Sequence, residues 1–142
     1  MNPMWLTRWL RGLCYSGYDR CGNAKYLLGR DADPAQCDID WVSSAVRDEA
    51  LALLCDSFDI PEHQMYCLRR GDELMSIYQS FVGPRCWDDM EFERLWMALG
   101  ELPGGKLSSD EFAGIKKVED VVRAVAERRG NTSQCAGREP RE

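Results

Sequence analysis

Histidine is almost missing from this sequence, since His63 is the only one among 142 residues. The chain also lacks the Gly-rich phosphate loop and the Gly-x-Ser-x-Gly elbow that mark many nucleotide-binding proteins and hydrolases. Any histidine-based general acid or base would have to be His63, and its proline, glutamate and glutamine neighbours predict a solvent-exposed turn. We therefore expect a protein that is not an enzyme and that uses no cofactor.

Long apolar runs are absent as well. No stretch approaches the roughly 18 to 20 uninterrupted apolar residues of a membrane span. The run at residues 4–13 is broken by Arg8 and Arg11, and we find no secretory signal ahead of the cysteines. These features predict a soluble, cytoplasmic protein, which we expect to be a monomer.

The cysteines form no Cys-x-x-Cys pair, and their number is odd. They stand at positions 14, 21, 37, 55, 67, 86 and 135. Reduced thiols are the simplest interpretation, and Cys55 lies in a Leu-rich run where a small buried apolar residue would serve equally well. His63, Cys55, Cys67 and Cys86 are ligand types that zinc accepts, but their spacing matches no compact metal knuckle. We expect no metal site, with a small zinc- or thiol-binding protein as an alternative.

The charge balance points away from nucleic acid. The chain has 18 Lys and Arg against 24 Asp and Glu, a formal net charge of -6. An acidic chain repels a phosphate backbone and releases none of its counterions. Because complementary fields speed association, a protein partner with a basic patch fits this chain better.

Residues 1–39 differ in composition from the rest and are interpreted as an N-terminal extension. Within it Trp5, Trp9 and Leu13 recur every four residues beside Leu6 and Leu10, which predicts a short helix with one apolar stripe. Such a helix either contacts a membrane surface or packs on the main domain. We favour packing on the main domain.

Residues 40–129 are predicted to form a helical domain, followed by a flexible polar tail at 130–142. Helices are predicted over residues 40–58, 88–102, 108–112 and 118–126, with a two-turn helix inside the connection 61–87. Asp40 or Ser43 would cap the first helix, and Asp72 would cap the short one. The last helix should bury Val118, Val121, Val122 and Val125. Trp87, Phe92 and Trp96, near Phe81 and Tyr78, either line a pocket or belong to the core.

Residues 88–125 read DDMEFERLWMALGELPGGKLSSDEFAGIKKVEDVVRAV. This segment resembles the second half of an acyl carrier protein, where an Asp-Ser-Leu precedes an acidic helix, an acidic turn with a short helix, and a closing Val-rich helix. Asp88 and Met90 match the flanks of Asp-Ser-Leu, and the helix over 40–58 would be the family's first. The resemblance implies an all-α fold, an acyl-carrier-like four-helix bundle with an N-terminal helical extension.

Asp89 occupies the position of the serine that receives phosphopantetheine in this family. A carboxylate cannot form that phosphodiester, so the resemblance implies a degenerate carrier that keeps the scaffold and its docking helix. Residues 88–102 hold five acids and one base, a net charge of 1 − 5 = −4. The partner-binding residues implied are Asp88, Asp89, Met90, Glu91, Glu93 and Arg94. A working carrier modified at Ser76 or Ser80 stays open as an alternative.

Overall fold

The computed structural model describes residue 19, residues 23–81 and residues 90–137. In this part of the chain the α-helices are α1 (Ser44–Phe58), α2 (Leu74–Phe81), α3 (Met90–Gly100), α4 (Ser109–Ala113) and α5 (Val118–Gly137). Three short 3-10 helices cover Lys25–Leu27, Pro34–Gln36 and Glu62–Cys67. The described residues form no β-strand, and an isolated antiparallel bridge joins Glu73 to Lys117. The predicted all-α class is confirmed.

The ends of α1 follow directly from its flanking residues. The Ser43 hydroxyl accepts a hydrogen bond from the Val46 N–H at 3.3 Å, so the helix begins at Ser44 and Ser43, not Asp40, is its cap. At the other end Asp59 adopts a left-handed conformation with φ of 55° and donates its N–H to the Cys55 carbonyl. Aspartate tolerates this conformation better than most residues, and it turns the chain toward Pro61.

The core lies where α1 contacts α3 and α5. Helix α1 contributes fully buried side chains at positions three and four residues apart, which keeps them on one face. The largest buried side chains of these helices are Leu51, Leu54, Phe58, Leu95 and Leu99. The four valines predicted to face inward from α5 are all buried, so that prediction is confirmed.

The segment from residue 23 to residue 39 belongs to this same core. Ala24, Leu27 and Ile39 are buried, and the Gln64 side chain binds the Ala24 backbone on both sides. Its Oε1 accepts from the Ala24 N–H at 2.9 Å, and its Nε2 donates to the Ala24 carbonyl at 3.4 Å. Ala24, Leu27 and Ile39, which the sequence assigned to the N-terminal extension, therefore pack in the same core as the helices. Three widely spaced apolar residues carry no periodic signal, and only tertiary packing reveals them.

Asp72 joins three parts of the chain and does not have the predicted capping position. Helix α2 begins at Leu74, so Glu73 is the residue immediately before it. The buried Asp72 carboxylate accepts from Arg30 Nη1 at 2.6 Å and from the Arg69 N–H at 2.9 Å. Its carbonyl accepts from the Val118 N–H at 2.9 Å. The hydrogen bond that Arg30 donates to Asp72 raises the pKa of the Arg30 guanidinium.

Helix α5 continues to Gly137, well beyond the predicted end at residue 126. Residues 130–137, which the sequence assigned to the tail, belong to this helix. A glycine inside a helix costs only about 1 kcal/mol, so Gly130 is not a stop signal, and the first proline after it is Pro140. Among the described helices, none combines the length and apolar character needed to cross a membrane.

Candidate functional site

A groove of about 700 Å³ opens between α3 and residues 106–112. Its apolar surface comes from Phe92, Trp96, Met97, Leu107 and Phe112. A volume of this size lies within the roughly 300 to 1,000 Å³ of typical binding pockets. We take this groove as the candidate site.

Trp96 and Phe112 form one wall of the groove. Their rings stack in parallel, with centroids 5.4 Å apart and an interplanar angle of 9°. The indole Nε1–H of Trp96 donates to the Leu107 carbonyl at 2.9 Å, which fixes the indole against residue 107. The Ser108 hydroxyl accepts from the Glu111 N–H at 3.1 Å and caps α4, the helix that carries Phe112. The wall is therefore held in place by local hydrogen bonds.

Phe92 connects the groove to the core. Its ring meets Phe58 edge to face at a centroid distance of 5.4 Å, and it meets Tyr78 at 5.1 Å. The structure thus brings Phe92 and Trp96 to one groove, whereas the Tyr78 side chain is buried behind Phe92. Trp87 and the side chain of Phe81, which the sequence placed in the same aromatic group, lie outside the described residues.

The outer face of α3 next to the groove leaves large apolar side chains in contact with solvent. Met90 is 54% exposed, Met97 is 61% exposed and Trp96 is 36% exposed. Glu93 and Glu101, both exposed, lie on the rim of the groove beside them. Two methionines and two carboxylates therefore alternate along one side of the helix, from its first residue to just beyond its end.

Glu91 and Arg94, two of the six residues expected to bind a partner, take part in ionic contacts within the fold. Glu91 is only 3% exposed. Arg94 Nη2 lies 3.1 Å from Asp59 Oδ2 and 3.8 Å from Glu91 Oε1, so these charges join the start of α3 to the end of α1. Glu91 therefore offers almost no surface to a partner. Of the six predicted residues, Met90 and Glu93 are at the surface, Arg94 is partly exposed, and Asp88 and Asp89 lie outside the described residues.

Half of the groove lining carries no signal in the sequence that marks it as a site. Met97, Lys106, Leu107 and Phe112 line the groove but were not among the predicted site residues. Phe112 lies in the helix predicted over residues 108–112. The sequence of that helix does not indicate which of its faces contacts α3. The one usable signal was Trp96, whose large ring and N–H need both an apolar surface and a polar partner.

The alternative modification sites lie on α2. Ser80 donates its hydroxyl to the Ser76 carbonyl at 2.7 Å, so this hydroxyl serves its own helix. Both serine side chains are half-buried. An attacking hydroxyl would first have to break this bond and turn outward, so the geometry does not favour a carrier function at Ser80.

The residues proposed as zinc ligands do not form a site in the described part of the chain. No group of three or more His, Cys, Asp or Glu side chains there could hold a metal ion. His63 is exposed, as predicted, whereas Cys55 and Cys67 are buried. Cys86 lies outside the described residues.

The Cys67 thiol is expected to react with iodoacetamide at pH 8 at least about tenfold more slowly than free cysteine. Burial raises the pKa of this thiol, which lowers the fraction of reactive thiolate, and its Sγ contacts the Arg30 carbonyl at 3.5 Å. Timed alkylation followed by peptide mass spectrometry measures the rate. Cys37, which is half-buried, is the internal comparison and should react faster. Equal rates at the two cysteines would contradict the burial argument.

Comparison of the chain with protein-family models, with curated proteins and with solved structures gave no match in any of the three.

Proposed function

We propose that this protein is a non-catalytic docking module on an acyl-carrier-like helical bundle, and that it binds a protein partner with a basic patch through α3. The observation that carries the proposal is the exposed face of α3 beside the groove. There Met90, Trp96 and Met97 present apolar surface to solvent although the chain has a buried core of its own. Exposed apolar surface that is contiguous and bordered by charge is typical of a binding site.

The chemistry of this face suits protein recognition. Methionine side chains are flexible and polarizable, and they are common at surfaces that adapt to a partner. Tryptophan and other aromatic residues are the side chains that most often carry binding energy in interfaces. Trp96 is already held by its bond to Leu107, so little side-chain entropy would be lost when a partner packs against it.

The charges at the groove favour a basic partner. Glu93 and Glu101 lie on its rim, and Asp110 and Glu111 are exposed on α4 nearby along the chain, whereas Lys106 is the single base among the lining residues. Opposite charge on a partner would speed its approach and fix its orientation. This acidic character is also what the resemblance to carrier proteins implies for the helix that begins near Asp89.

The order of the helices supports the scaffold part of the proposal. Helices α1, α3, α4 and α5 follow the order long, long, short, long that the resemblance implies, and α2 lies in the connection between the first two. With an aspartate at position 89, this scaffold would have no arm to carry. Docking is then the function that remains for it.

A designed basic amphipathic peptide is expected to bind the groove of the intact chain. The probe is a 14-residue helix with lysines on one face and leucine and tryptophan on the other. In a titration followed by ¹H–¹⁵N NMR, the resonances that shift should belong to α3 and to residues 106–112. Met97→Glu should weaken binding at least about tenfold, or about 1.4 kcal/mol, because it places a charge on the apolar contact.

The matched control is Met75→Glu, which changes a methionine of similar exposure on α2, outside the groove lining. It should leave the dissociation constant within about twofold. The pair Glu93→Lys and Glu101→Lys should weaken the basic peptide and remove most of the salt dependence of its binding. Equal effects of Met97→Glu and Met75→Glu, or shifts spread over the whole surface, would overturn the proposal.

A further inference from the structure

We infer that, in the absence of a partner, the groove between α3 and residues 106–112 is occupied by the chain's own residues 4–13. The inference rests on the proposed function, because it takes this groove as the docking site. Residues 4–13 lie outside the described residues. They carry Trp5, Trp9 and Leu13 at intervals of four, a spacing that gathers large apolar side chains on one face of a helix.

The charges of the two parts are complementary. Residues 4–13 contain Arg8 and Arg11 and no acid, which gives this segment a charge of +2. The rim of the groove presents the exposed carboxylates of Glu93 and Glu101. An amphipathic helix that places its apolar stripe in a groove and its basic residues against an acidic rim is a recurring mode of recognition.

The surfaces also match in kind. The groove is open, and its walls are the stacked rings of Trp96 and Phe112 with Met97 at the edge. Offset or edge-to-face contacts of a tryptophan ring with other aromatic rings are energetically favourable, and so are its contacts with methionine sulfur. A segment with two tryptophans can therefore form aromatic and sulfur–aromatic contacts in this groove that an aliphatic segment cannot form.

The tether between the two parts is short. The described chain includes Asp19, whose N–H donates to the Asn23 carbonyl at 2.8 Å and whose carboxylate accepts from Asn23. Five residues, 14–18, separate Leu13 from Asp19. Extended, this linker reaches about 20 Å, and a ten-residue helix adds about 15 Å. The sum is comparable to the diameter of a compact domain of this size, whose radius of gyration is about 14 Å.

Tethering makes even a weak contact effective. A short flexible linker gives an effective concentration in the millimolar range. A segment with an intrinsic dissociation constant of about 0.1 mM would then occupy the groove about ten times out of eleven. An external partner must displace this segment from the groove. A partner would therefore bind about tenfold more weakly to the intact chain than to a chain with an empty groove.

Hydrogen exchange of the full-length chain tests this directly. Amides of residues 4–13, followed by mass spectrometry at micromolar protein, should exchange about tenfold more slowly than in the free peptide of the same sequence. Met97→Glu should bring the rate to within about twofold of the free peptide, whereas Met75→Glu should leave it within about twofold of wild type. Arg8→Glu with Arg11→Glu should also remove the protection. Adding Glu93→Lys and Glu101→Lys to that variant should restore at least half of it.

Exchange at the free-peptide rate in the wild-type chain would overturn the inference, as would equal effects of Met97→Glu and Met75→Glu. Protection that disappears on tenfold dilution would also overturn it, because the occupant would then come from a second copy. If the segment is unprotected while Met97→Glu still weakens the designed basic peptide, only this inference fails. If the segment is protected while the designed peptide does not bind even the Trp5→Ala, Trp9→Ala variant, only the proposed function fails.

Discussion

Replacing Phe58 with alanine is expected to lower the free energy of unfolding by about 3 to 5 kcal/mol. Phe58 is fully buried at the last position of α1, and its ring meets Phe92 edge to face at 5.4 Å. The substitution removes apolar burial and an aromatic contact and leaves a cavity that the rigid helix end cannot fill. Because Phe92 also borders the groove, the loss should be accompanied by weaker binding of the designed basic peptide.

Urea denaturation followed by far-ultraviolet circular dichroism measures this change. The control is Leu28→Ala, which truncates a side chain that is 52% exposed and should change the free energy of unfolding by less than about 0.5 kcal/mol. Phe58→Leu, which fills most of the space, should recover more than half of the loss. A loss below about 1 kcal/mol for Phe58→Ala would show that the junction of α1 and α3 is not tightly packed.

Asp72→Asn is expected to lower the free energy of unfolding by about 2 to 3 kcal/mol. The carboxylate accepts from Arg30 Nη1 at 2.6 Å, from Arg30 Nη2 at 3.2 Å and from the Arg69 N–H at 2.9 Å. An amide keeps the shape of the side chain but loses the charge and one acceptor oxygen, so the Arg30 guanidinium keeps its charge without its ion partner. Arg30 is partly exposed, which is why the expected loss lies below the full cost of breaking a buried pair.

The same urea measurement checks this prediction. Glu49→Gln is the matched control, because Glu49 forms a two-point pair with Arg129 at 2.8 and 2.9 Å on a more exposed part of the surface. Water screens that pair, so its loss should be clearly smaller. A double-mutant cycle with Arg30→Ala isolates the coupling between Arg30 and Asp72. Equal losses for Asp72→Asn and Glu49→Gln would contradict the structural role of the buried carboxylate.

The helices were predictable because their signals are local. Ser43, one of the two candidate caps of the first helix, and the inward-facing valines of α5 each depend on residues within one or two turns, and the structure agrees with both. The far end of α5 was not predictable from composition. Polar residues after Gly130 resemble a tail, but a helix that has already formed continues cheaply until a residue stops it.

The long-range features could not be read from the sequence. The pairing of Gln64 with the Ala24 backbone spans 40 residues, and that of Arg30 with Asp72 spans 42. Neither pair has a spacing or residue type that distinguishes it from solvated surface. The groove is similar, since Trp96 and Phe112 belong to two different helices and meet only when residues 101–108 turn back on α3.

Glu91 shows why charge counting along a helix overestimates a docking surface. Acids at the start of a helix are favoured by the helix dipole wherever they point. In this chain Glu91 points inward to a junction with Arg94, and Glu93, two residues later, points outward. The difference is set by which face of α3 meets α1, and that is a property of the packing.

The Gln64 amide, which holds the Ala24 backbone on both of its polar sides, has a practical consequence for anyone who expresses part of this protein. A fragment that starts at residue 40 would lack the Ala24 backbone groups that Gln64 binds. It would also lack the buried side chains of Leu27 and Ile39, and the Asp72 carboxylate would lose its ion pair with Arg30. The smallest piece that can be moved intact into a fusion or a shuffled library therefore begins no later than Asn23.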